Sequence, residues 1–365
     1  MEFFHTPIST QAIELATQVL RSGWVSAGEM ARKFELALAE RLGFANPVSV
    51  NSGTSALHLA LVTSGVEPGD EVILPAQTFV ATGLVVLMQR AVPVFADIDP
   101  RTGCICPESV ARKITPRTKA ILPVHWGGHP CDLEEINEIA RKHGLAVIED
   151  AAHALGATYR GKPVGAISRL TAFSFQAIKH LTTGDGGMLC CLSQTDAEKA
   201  RKLRWFGIDR SAGGRSILGA RNFDIESVGY KYHMNDLAAA VGLGNLEGFP
   251  SWLRRRREIA AFYRERLDGV RGLELLRVSG DRTHAFWLFT ILVDRREEFA
   301  RALASRGVPC SVVDLRIDRN KVFGGIREDL PGQAEFDARQ IALPVHGALT
   351  EEDVKKVVDV VRSGW

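Results

Sequence analysis

Short apolar segments alternate with helical patterns through roughly the first 245 residues of this chain. The segments with strand composition are residues 48–50, 71–74, 92–95, 120–124 and 145–149. A helical pattern runs from Ser55 to Ser64 and is closed by Gly65. The segment Leu145–Ile148 is continuously apolar, as expected of a strand buried on both faces. This alternation predicts an α/β fold with a mainly parallel sheet sandwiched by helices.

The pattern of the sequence changes after about residue 245. A long arginine-rich helical segment is followed by a β-like run at Phe286–Val293, a helical segment near Glu297–Arg306 and an apolar strand at Ile341–Val345. We therefore predict a large domain at residues 1–245 and a smaller C-terminal α+β domain at residues 246–365.

Composition excludes several classes of function. The net charge is +2, with 45% hydrophobic and 24% charged residues, which gives no reason to expect nucleic acid or an anionic membrane as a partner. The run Arg254–Arg257 lies in a helical pattern and is interpreted as a solvated helix face, with a phosphate contact as the alternative. No secretory signal or membrane-spanning run is visible. The six cysteines are scattered without zinc-site spacing, so we expect reduced thiols, no metal and a cytoplasmic protein.

Polar residues stand where predicted strands end, which is the edge at which parallel α/β sheets bind ligands. Ser52, Gly53 and Thr54 lie between a strand and a helix. The N–H groups and positive dipole end of such a helix suit a phosphate, and a glycine lets the phosphate approach closely. A Ser/Thr helix cap without a ligand would explain the same residues. Both interpretations stay open.

Asp150 and Lys179 are the other two chemically suggestive positions. Asp150 ends a buried strand, where it either needs a cationic or hydrogen-bond-donating partner or caps the next segment. Lys179 follows the aromatic segment Phe173–Phe175 and precedes the glycine-rich turn 184–187. A lysine shielded there could lose its proton and attack a carbonyl, although most lysines are solvated surface charges. A phosphate cradle, a buried carboxylate and a nucleophilic lysine on one sheet match the needs of pyridoxal 5'-phosphate (PLP).

Six longer motifs extend this interpretation over nearly the whole chain. They are NSGTSALHLAL (51–61), PAQTFVAT (75–82), VIEDAAHALGA (147–157), FSFQAIKHLTTGDGGM (173–188), GYKYHMNDLAAAVG (229–242) and LPVH (343–346). With these motifs the sequence resembles the nucleotide-sugar aminotransferases of the DegT/StrS family. The resemblance implies the aspartate aminotransferase-like fold (fold type I) and a PLP-dependent aminotransferase. Several long motifs in one order are far more specific than any one of them.

The resemblance implies a role for individual residues. Lys179 matches the lysine that binds PLP covalently, and Asp150 matches the partner of the pyridine nitrogen. His153 matches a position near the phenolic oxygen of the cofactor, and Phe79 matches the aromatic residue that stacks on the cofactor ring. The residues that match the phosphate binders are Gly53, Thr54 and Ser174, with Ser52 beside them.

The segment GYKYHMND (229–236) resembles the part of these enzymes that reaches into the active site of the neighbouring subunit. Many relatives have asparagine where Lys231 stands. The residue that contacts the cofactor phosphate could therefore be Lys231, His233 or Asn235. The resemblance thus implies a homodimer with shared active sites.

Three histidines lie outside these roles. His58 is inside a predicted helix and is interpreted as structural. His125 follows a strand and either faces the pocket or packs in the interior. His180 either contacts substrate or cofactor phosphate or has a packing role.

The presence of Lys179 favours transamination. Some family members replace this lysine with histidine and act as sugar dehydratases, but here His180 is only its neighbour. The resemblance implies amino-group transfer from L-glutamate to a nucleotide-linked keto-sugar, first a 4-keto-6-deoxyhexose and next a 3-keto sugar, in amino-sugar biosynthesis for O-antigen, other surface glycans or antibiotics. The alternatives are a non-nucleotide ketone such as a cyclitol or keto-octulosonate, a dehydratase, and a non-catalytic regulatory or binding protein. The complete set of Asp150, Ser174 and Lys179 argues against the last.

Overall fold

The computed structural model describes residues 1–209, 217–219 and 223–365. The strands of these residues are, in chain order, β1 (Val48–Val50), β2 (Glu71–Pro75), β3 (Val92–Ala96), β4 (Ile98–Asp99), β5 (Cys104–Ile105), β6 (Thr118–Ile121), β7 (Ala146–Asp150), β8 (Thr158–Tyr159), β9 (Lys162–Pro163), β10 (Leu170–Ser174), β11 (Gly187–Cys191), β12 (Leu273–Leu275), β13 (Arg282–Thr283), β14 (Phe289–Val293) and β15 (Gln340–Leu343). The helices are α1 (Thr10–Ser22), α2 (Glu29–Leu42), α3 (Gly53–Ser64), α4 (Val80–Met88), α5 (Pro107–Lys113), α6 (Leu133–His143), α7 (Gln194–Leu203), α8 (Asp236–Leu267), α9 (Arg296–Ser305), α10 (Pro331–Arg339) and α11 (Glu351–Arg362).

The large sheet confirms the predicted architecture. Its seven strands are ordered β1-β11-β10-β7-β6-β2-β3, and only β11 runs antiparallel to its neighbours. The carboxyl ends of the other six strands therefore meet at one edge of the sheet. β6 ends at Ile121, although the apolar pattern continues to Val124. Pro123 has no N–H to offer to a neighbouring strand, which explains the early end of the ladder.

Helix α3 lies in the core beside this sheet, where it packs against β10, β11 and α4. Most of its side chains are buried, and Leu59, Ala60 and Leu61 are completely so. A helix without a solvated face needs such a surrounded position. Because α3 directly follows β1, its N-terminus is held at the carboxyl edge of the sheet.

The C-terminal part contains the predicted smaller α+β unit. Strands β12, β14 and β15 form an antiparallel sheet, and its core includes side chains of α8, α9 and α11. Helix α8 runs without interruption from Asp236 to Leu267, so the predicted division at residue 245 falls inside a helix and stays a prediction. None of the helices formed by the described residues has both the length and the apolarity that crossing a membrane requires.

The arginine run 254–257 differs from its sequence-based interpretation. Arg254 is exposed as predicted, with 71% of its side chain accessible. Arg256 is only 3% exposed, and its guanidinium donates to the carbonyls of Phe286, Trp287 and Val345. The prediction of a solvated face was therefore wrong for Arg256. The helical pattern could not reveal that chain segments from far downstream pack over this face of α8.

Candidate active site

A cavity of about 470 Å³ opens at the carboxyl edge of the parallel strands. Its walls are the connections that follow β1, β2, β7 and β10, closed by residues from the C-terminal part of the chain. The sequence-predicted residues that line it are Ser52, Gly53, Thr54, Phe79, Asp150, His153, Ser174 and Lys179. The structure thus brings together residues that are far apart along the chain. Their individual roles stay predictions.

The N-terminus of α3 forms one wall of this cavity. Ser52 is the N-cap, and its Oγ accepts a hydrogen bond from Ser55 N at 3.0 Å. A Cβ at Gly53 would lie 2.8 Å from Ser174 Cβ, so only glycine lets the two segments approach this closely. The first N–H groups of a helix have no acceptor within the helix. Gly53, Thr54 and Ser174 therefore form a small cradle, and its chemistry suits a phosphate.

Replacing Thr54 with valine tests this cradle. The two side chains have nearly the same shape, so we expect α3 to stay folded while the affinity for PLP falls about tenfold or more, since a hydrogen bond to a charged group is lost. Fluorescence titration of the cofactor-free protein with PLP would measure the change. Thr63→Val on the same helix is the matched control, because Thr63 is buried and its Oγ1 has no partner among the described residues. Equal affinities for the two variants would contradict the assignment.

Asp150 is held by donors on both carboxylate oxygens. Thr82 Oγ1 donates to Oδ2 at 2.7 Å, and Ala152 N donates to Oδ1 at 3.1 Å. Since Thr82 uses its proton on Asp150, Thr78 must donate to Thr82 across the 2.7 Å that separate their hydroxyl oxygens. The hydroxyls of Thr78 and Thr82 thus form a chain in which each proton points toward the carboxylate. Asp150 has the donor partners that its buried position required.

Directly beside Asp150, Glu149 points into a different network. His125 Nε2 donates to Glu149 Oε2 at 2.8 Å, and both side chains are fully buried. Cys131 N donates to the other ring nitrogen of His125 at 3.0 Å. His125 therefore packs in the interior and does not line the cavity, the second of its two interpretations.

His58 also has the expected structural position, with Nδ1 3.1 Å from the Tyr232 hydroxyl.

Lys179 extends its amine into the cavity from the loop after β10. Nζ lies 3.6 Å from the ring centroid of Trp287. Burial lowers the pKa of Lys179 to about 8, and the carboxylates of Asp150 and Asp314 oppose this effect. A substantial fraction of the amine is thus neutral near physiological pH, as a nucleophile or a general base requires.

His153 shares the aromatic wall with Lys179. Its ring stacks on Trp287 with 3.8 Å between centroids and 18° between planes. Burial, and next the nearby charge of Lys179, hold the pKa of His153 well below its ordinary value. The ring is therefore neutral, and its buried Nδ1 has no hydrogen-bond partner among the described residues. A ligand oxygen in the cavity would supply the missing partner.

The lowered pKa of Lys179 predicts how the protein binds PLP as the pH changes. Only the neutral amine attacks a carbonyl, so the rate of covalent bond formation should rise about tenfold per pH unit below the pKa. The rate should level off above about pH 8. Stopped-flow absorbance of cofactor-free protein mixed with PLP would measure it. A rate that still rises tenfold between pH 9 and pH 10 would show that the pKa of Lys179 is close to the ordinary lysine value. That result would contradict the effect of burial.

The residues of the cavity fit PLP. The cradle at Gly53 suits the phosphate, the unpaired Nδ1 of His153 suits the phenolic oxygen, and Asp150 suits a protonated pyridine nitrogen. Phe79 is 57% exposed beside them and can cover a planar ring. When bound, PLP supplies an electron sink for a carbanion next to an amino group. In their predicted roles, Lys179 would accept and return the proton at Nζ, and the carboxylate of Asp150 would stabilise positive charge on the ring nitrogen.

The segment 229–236 lies outside this cavity in the same chain. Lys231 is exposed and pairs with Trp205 through the backbone. Asn235 caps α8, with Oδ1 accepting from Ala238 N at 2.8 Å. His233 packs against the Trp205 ring with 3.9 Å between centroids. Which of Lys231, His233 and Asn235 contacts the cofactor of another subunit stays a prediction.

The cavity residues that the sequence analysis did not identify include Thr82, Trp287, Ser311 and Asp314. Thr82 belongs to the motif PAQTFVAT, and its spacing of three residues from Phe79 would have placed it one helical turn away. Trp287 and Asp314 follow no motif and lie more than 100 residues after Lys179. They could be found only from the tertiary structure, in which the C-terminal part of the chain packs against the carboxyl edge of the sheet.

His180, directly after the lysine, does not line the cavity. Its Nε2 donates to the Ala285 carbonyl at 2.8 Å, and the side chain is 3% exposed. Burial, and next the charge of Arg256, hold its pKa well below the ordinary value. Of its two interpretations, the structure shows the packing role.

Known proteins are similar to this chain in sequence and fold. The model of the DegT/DnrJ/EryC1/StrS aminotransferase family matches residues 7–362. The spore coat polysaccharide biosynthesis protein SpsC of Bacillus subtilis is 39% identical over 367 residues, which cover 97% of this chain and 94% of SpsC. The sugar aminotransferase CalS13 from Micromonospora echinospora superimposes with a TM-score of 0.95 and 35% identity over 100% of both chains. Spr1654 from Streptococcus pneumoniae in its PLP form gives a TM-score of 0.91 and 28% identity, covering 100% of this chain and 98% of that one.

Fold, cavity and similarity together define a PLP-dependent aminotransferase of fold type I. PLP is its cofactor. More narrowly, the chain belongs to the DegT/DnrJ/EryC1/StrS aminotransferase family.

Proposed function

We propose that this aminotransferase moves an amino group from L-glutamate to a nucleotide-linked keto-sugar, with a 4-keto-6-deoxyhexose as the first candidate. The observation that carries the proposal is that the amine of Lys179, whose pKa burial lowers to about 8, lines the same cavity as the carboxylate of Asp150. The sugar acceptor is supported by CalS13, a sugar aminotransferase, and by SpsC, a polysaccharide biosynthesis protein. The product would supply an amino sugar for a surface glycan such as O-antigen.

The cavity itself also favours a ligand rich in hydroxyl groups. Among its described lining residues, Lys179 is the only lysine or arginine. The side chains of Asp185, Asp314 and Ser311 add hydrogen-bond acceptors. Sugar hydroxyls donate hydrogen bonds to carboxylate and hydroxyl oxygens of this kind. This supports a sugar ring near the reactive amine.

We further propose a homodimer with shared active sites. Helix α1 and the residue two positions after its end support it, because Ile13 and Leu20 on the helix and Trp24 beyond it are 59%, 58% and 64% exposed. Ile13 and Leu20 are seven residues apart and so lie on the same face of the helix. An apolar stripe of this kind is expected to be covered by another protein surface. Light scattering of the purified protein should give twice the mass of one chain, and a monomer at micromolar concentration would contradict the proposal.

The substrate proposal is tested with the PLP-loaded enzyme, L-glutamate and a panel of GDP-, UDP- and dTDP-linked 4-keto and 3-keto sugars. A cyclitol ketone and a keto-octulosonate serve as competing acceptors. Release of 2-oxoglutarate reports the first half-reaction, and mass spectrometry of the acceptor reports the second. We expect an amino-sugar nucleotide from one member of the panel. Amination of only a non-nucleotide ketone would overturn the acceptor, and absence of 2-oxoglutarate would overturn the donor.

A further inference from the structure

We propose that Trp287 is a positioning residue that holds the free amine of Lys179 during turnover. Its ring face contacts Nζ, and its indole N–H fixes the backbone beside the lysine. The inference rests on the proposed role of Lys179 as the reactive amine. It adds a residue of the C-terminal part of the chain to the groups that act on the amine.

Trp287 contacts the loop that carries Lys179 at two points. Its Nε1 donates to the carbonyl of Ile178, the residue before the lysine, at 2.9 Å. Nζ of Lys179 lies 3.6 Å from its ring centroid, a distance typical of a cation–π contact. The side chain is only 2% exposed, so water does not compete strongly for the ring face. The same side chain thus holds both the backbone and the amine of the loop.

The residue after the lysine is held by the same downstream segment. His180 Nε2 donates to the carbonyl of Ala285 at 2.8 Å. Residues 178 and 180 therefore both hydrogen-bond to the segment Ala285–Trp287, and Lys179 lies between the two bonds. Because the backbone of Lys179 is fixed on both sides, little further conformational entropy is lost when its amine binds or leaves the cofactor.

The segment Ala285–Trp287 is itself rigidly anchored. Arg256 Nη1 donates to the carbonyls of Phe286 and Trp287, at 3.3 Å in both cases. Burial lowers the pKa of Arg256 to about 10, so the guanidinium stays charged at neutral pH. Ala285 N donates to the Gly128 carbonyl at 2.9 Å. The buried arginine on α8 thereby supports the ring against which Lys179 rests.

The charges around Lys179 explain why the ring face of Trp287 is suited to holding the amine. The carboxylates of Asp150 and Asp314 favour the protonated amine, and burial disfavours it. His153 and His180 have pKa values held below the ordinary value by burial, so they add no positive charge at neutral pH. A direct ion pair would bind the proton tightly, whereas a ring face stabilises an ammonium weakly and reversibly. Trp287 can thus retain the protonated amine and still let it return the proton.

The test measures the pH dependence of Lys179 acetylation by brief pulses of acetic anhydride, with peptide mass spectrometry. The holoenzyme is first treated with L-glutamate, which frees Lys179 from the cofactor, and then desalted. We expect Trp287→Leu to lower the midpoint of the labelling curve by about one pH unit and turnover by about tenfold, since the ring face is lost. Trp287→Phe keeps a weaker ring face and should give a midpoint between that of Trp287→Leu and that of the wild type.

Trp365→Leu is the matched control, because the Trp365 indole also donates to a backbone carbonyl, that of Asp294 at 2.8 Å, and does not line the cavity. Its midpoint should equal that of the wild type. An unchanged or raised midpoint in a folded Trp287→Leu protein would overturn the inference. If L-glutamate releases no 2-oxoglutarate, the proposed donor fails instead, and the same titration on the full chain without cofactor still tests Trp287. A wild-type midpoint near the ordinary lysine pKa would count against the reactive-amine proposal itself.

Discussion

Replacing Lys179 with methionine should lower turnover by a factor of about 10⁴ or more, because both the covalent bond to PLP and the proton carrier are removed. Methionine retains an unbranched chain that can still lie against Trp287, so the fold should be unchanged. Absorbance of the PLP-loaded variant should show free rather than covalently bound cofactor. Rates would be followed by 2-oxoglutarate release in single-turnover and steady-state assays.

Lys199→Met is the matched control for this substitution. Lys199 lies on α7 and donates to the Thr63 carbonyl at 3.0 Å, so it is also a lysine held by a hydrogen bond. Its loss should leave turnover within about twofold, as expected of a substitution away from the site. Turnover close to wild type in Lys179→Met would show that another residue is the nucleophile.

Replacing Asp150 with asparagine should lower turnover by about 10²–10³, the loss expected when one preorganised electrostatic partner of the reacting charge is removed. Asparagine keeps the size of the side chain and still accepts from Thr82 or Ala152. The negative charge that keeps the pyridine nitrogen protonated is absent. Because the Asp150 charge also raises the pKa of Lys179, that pKa should fall further. Turnover and the spectrum of bound PLP are the measurements.

Two further variants show whether the effect belongs to the charge. Thr82→Val removes the 2.7 Å donor to Asp150 but keeps the carboxylate, so we expect a loss of about tenfold. Asp70→Asn changes a carboxylate that accepts Glu67 N at 2.8 Å outside the cavity and should have little effect. An Asp150→Asn enzyme as active as Asp70→Asn would contradict the assigned role of Asp150.

Much of the site could be predicted because residues at the ends of parallel strands must share one edge of the sheet. That rule groups Ser52–Thr54, Asp150 and Lys179, and the family motifs add Phe79, His153 and Ser174. The structure places all of them around one cavity. The same reasoning could not decide between the two positions of His125. Whether a side chain after a strand faces the cavity or the interior depends on its partner, here Glu149 at 2.8 Å.

The alternation of strands and helices, the strand-end residues and the family motifs were thus determined by the sequence alone, since hydrophobic period and local motifs need no knowledge of distant contacts. The tertiary structure alone decided that Arg256 is buried and that the ring centroid of Trp287 lies 3.6 Å from Nζ of Lys179. It also decided the pKa of about 8 for Lys179. These properties arise where chain segments that are distant in the sequence meet, because burial and proximity are set by packing and leave no periodic signal in the sequence.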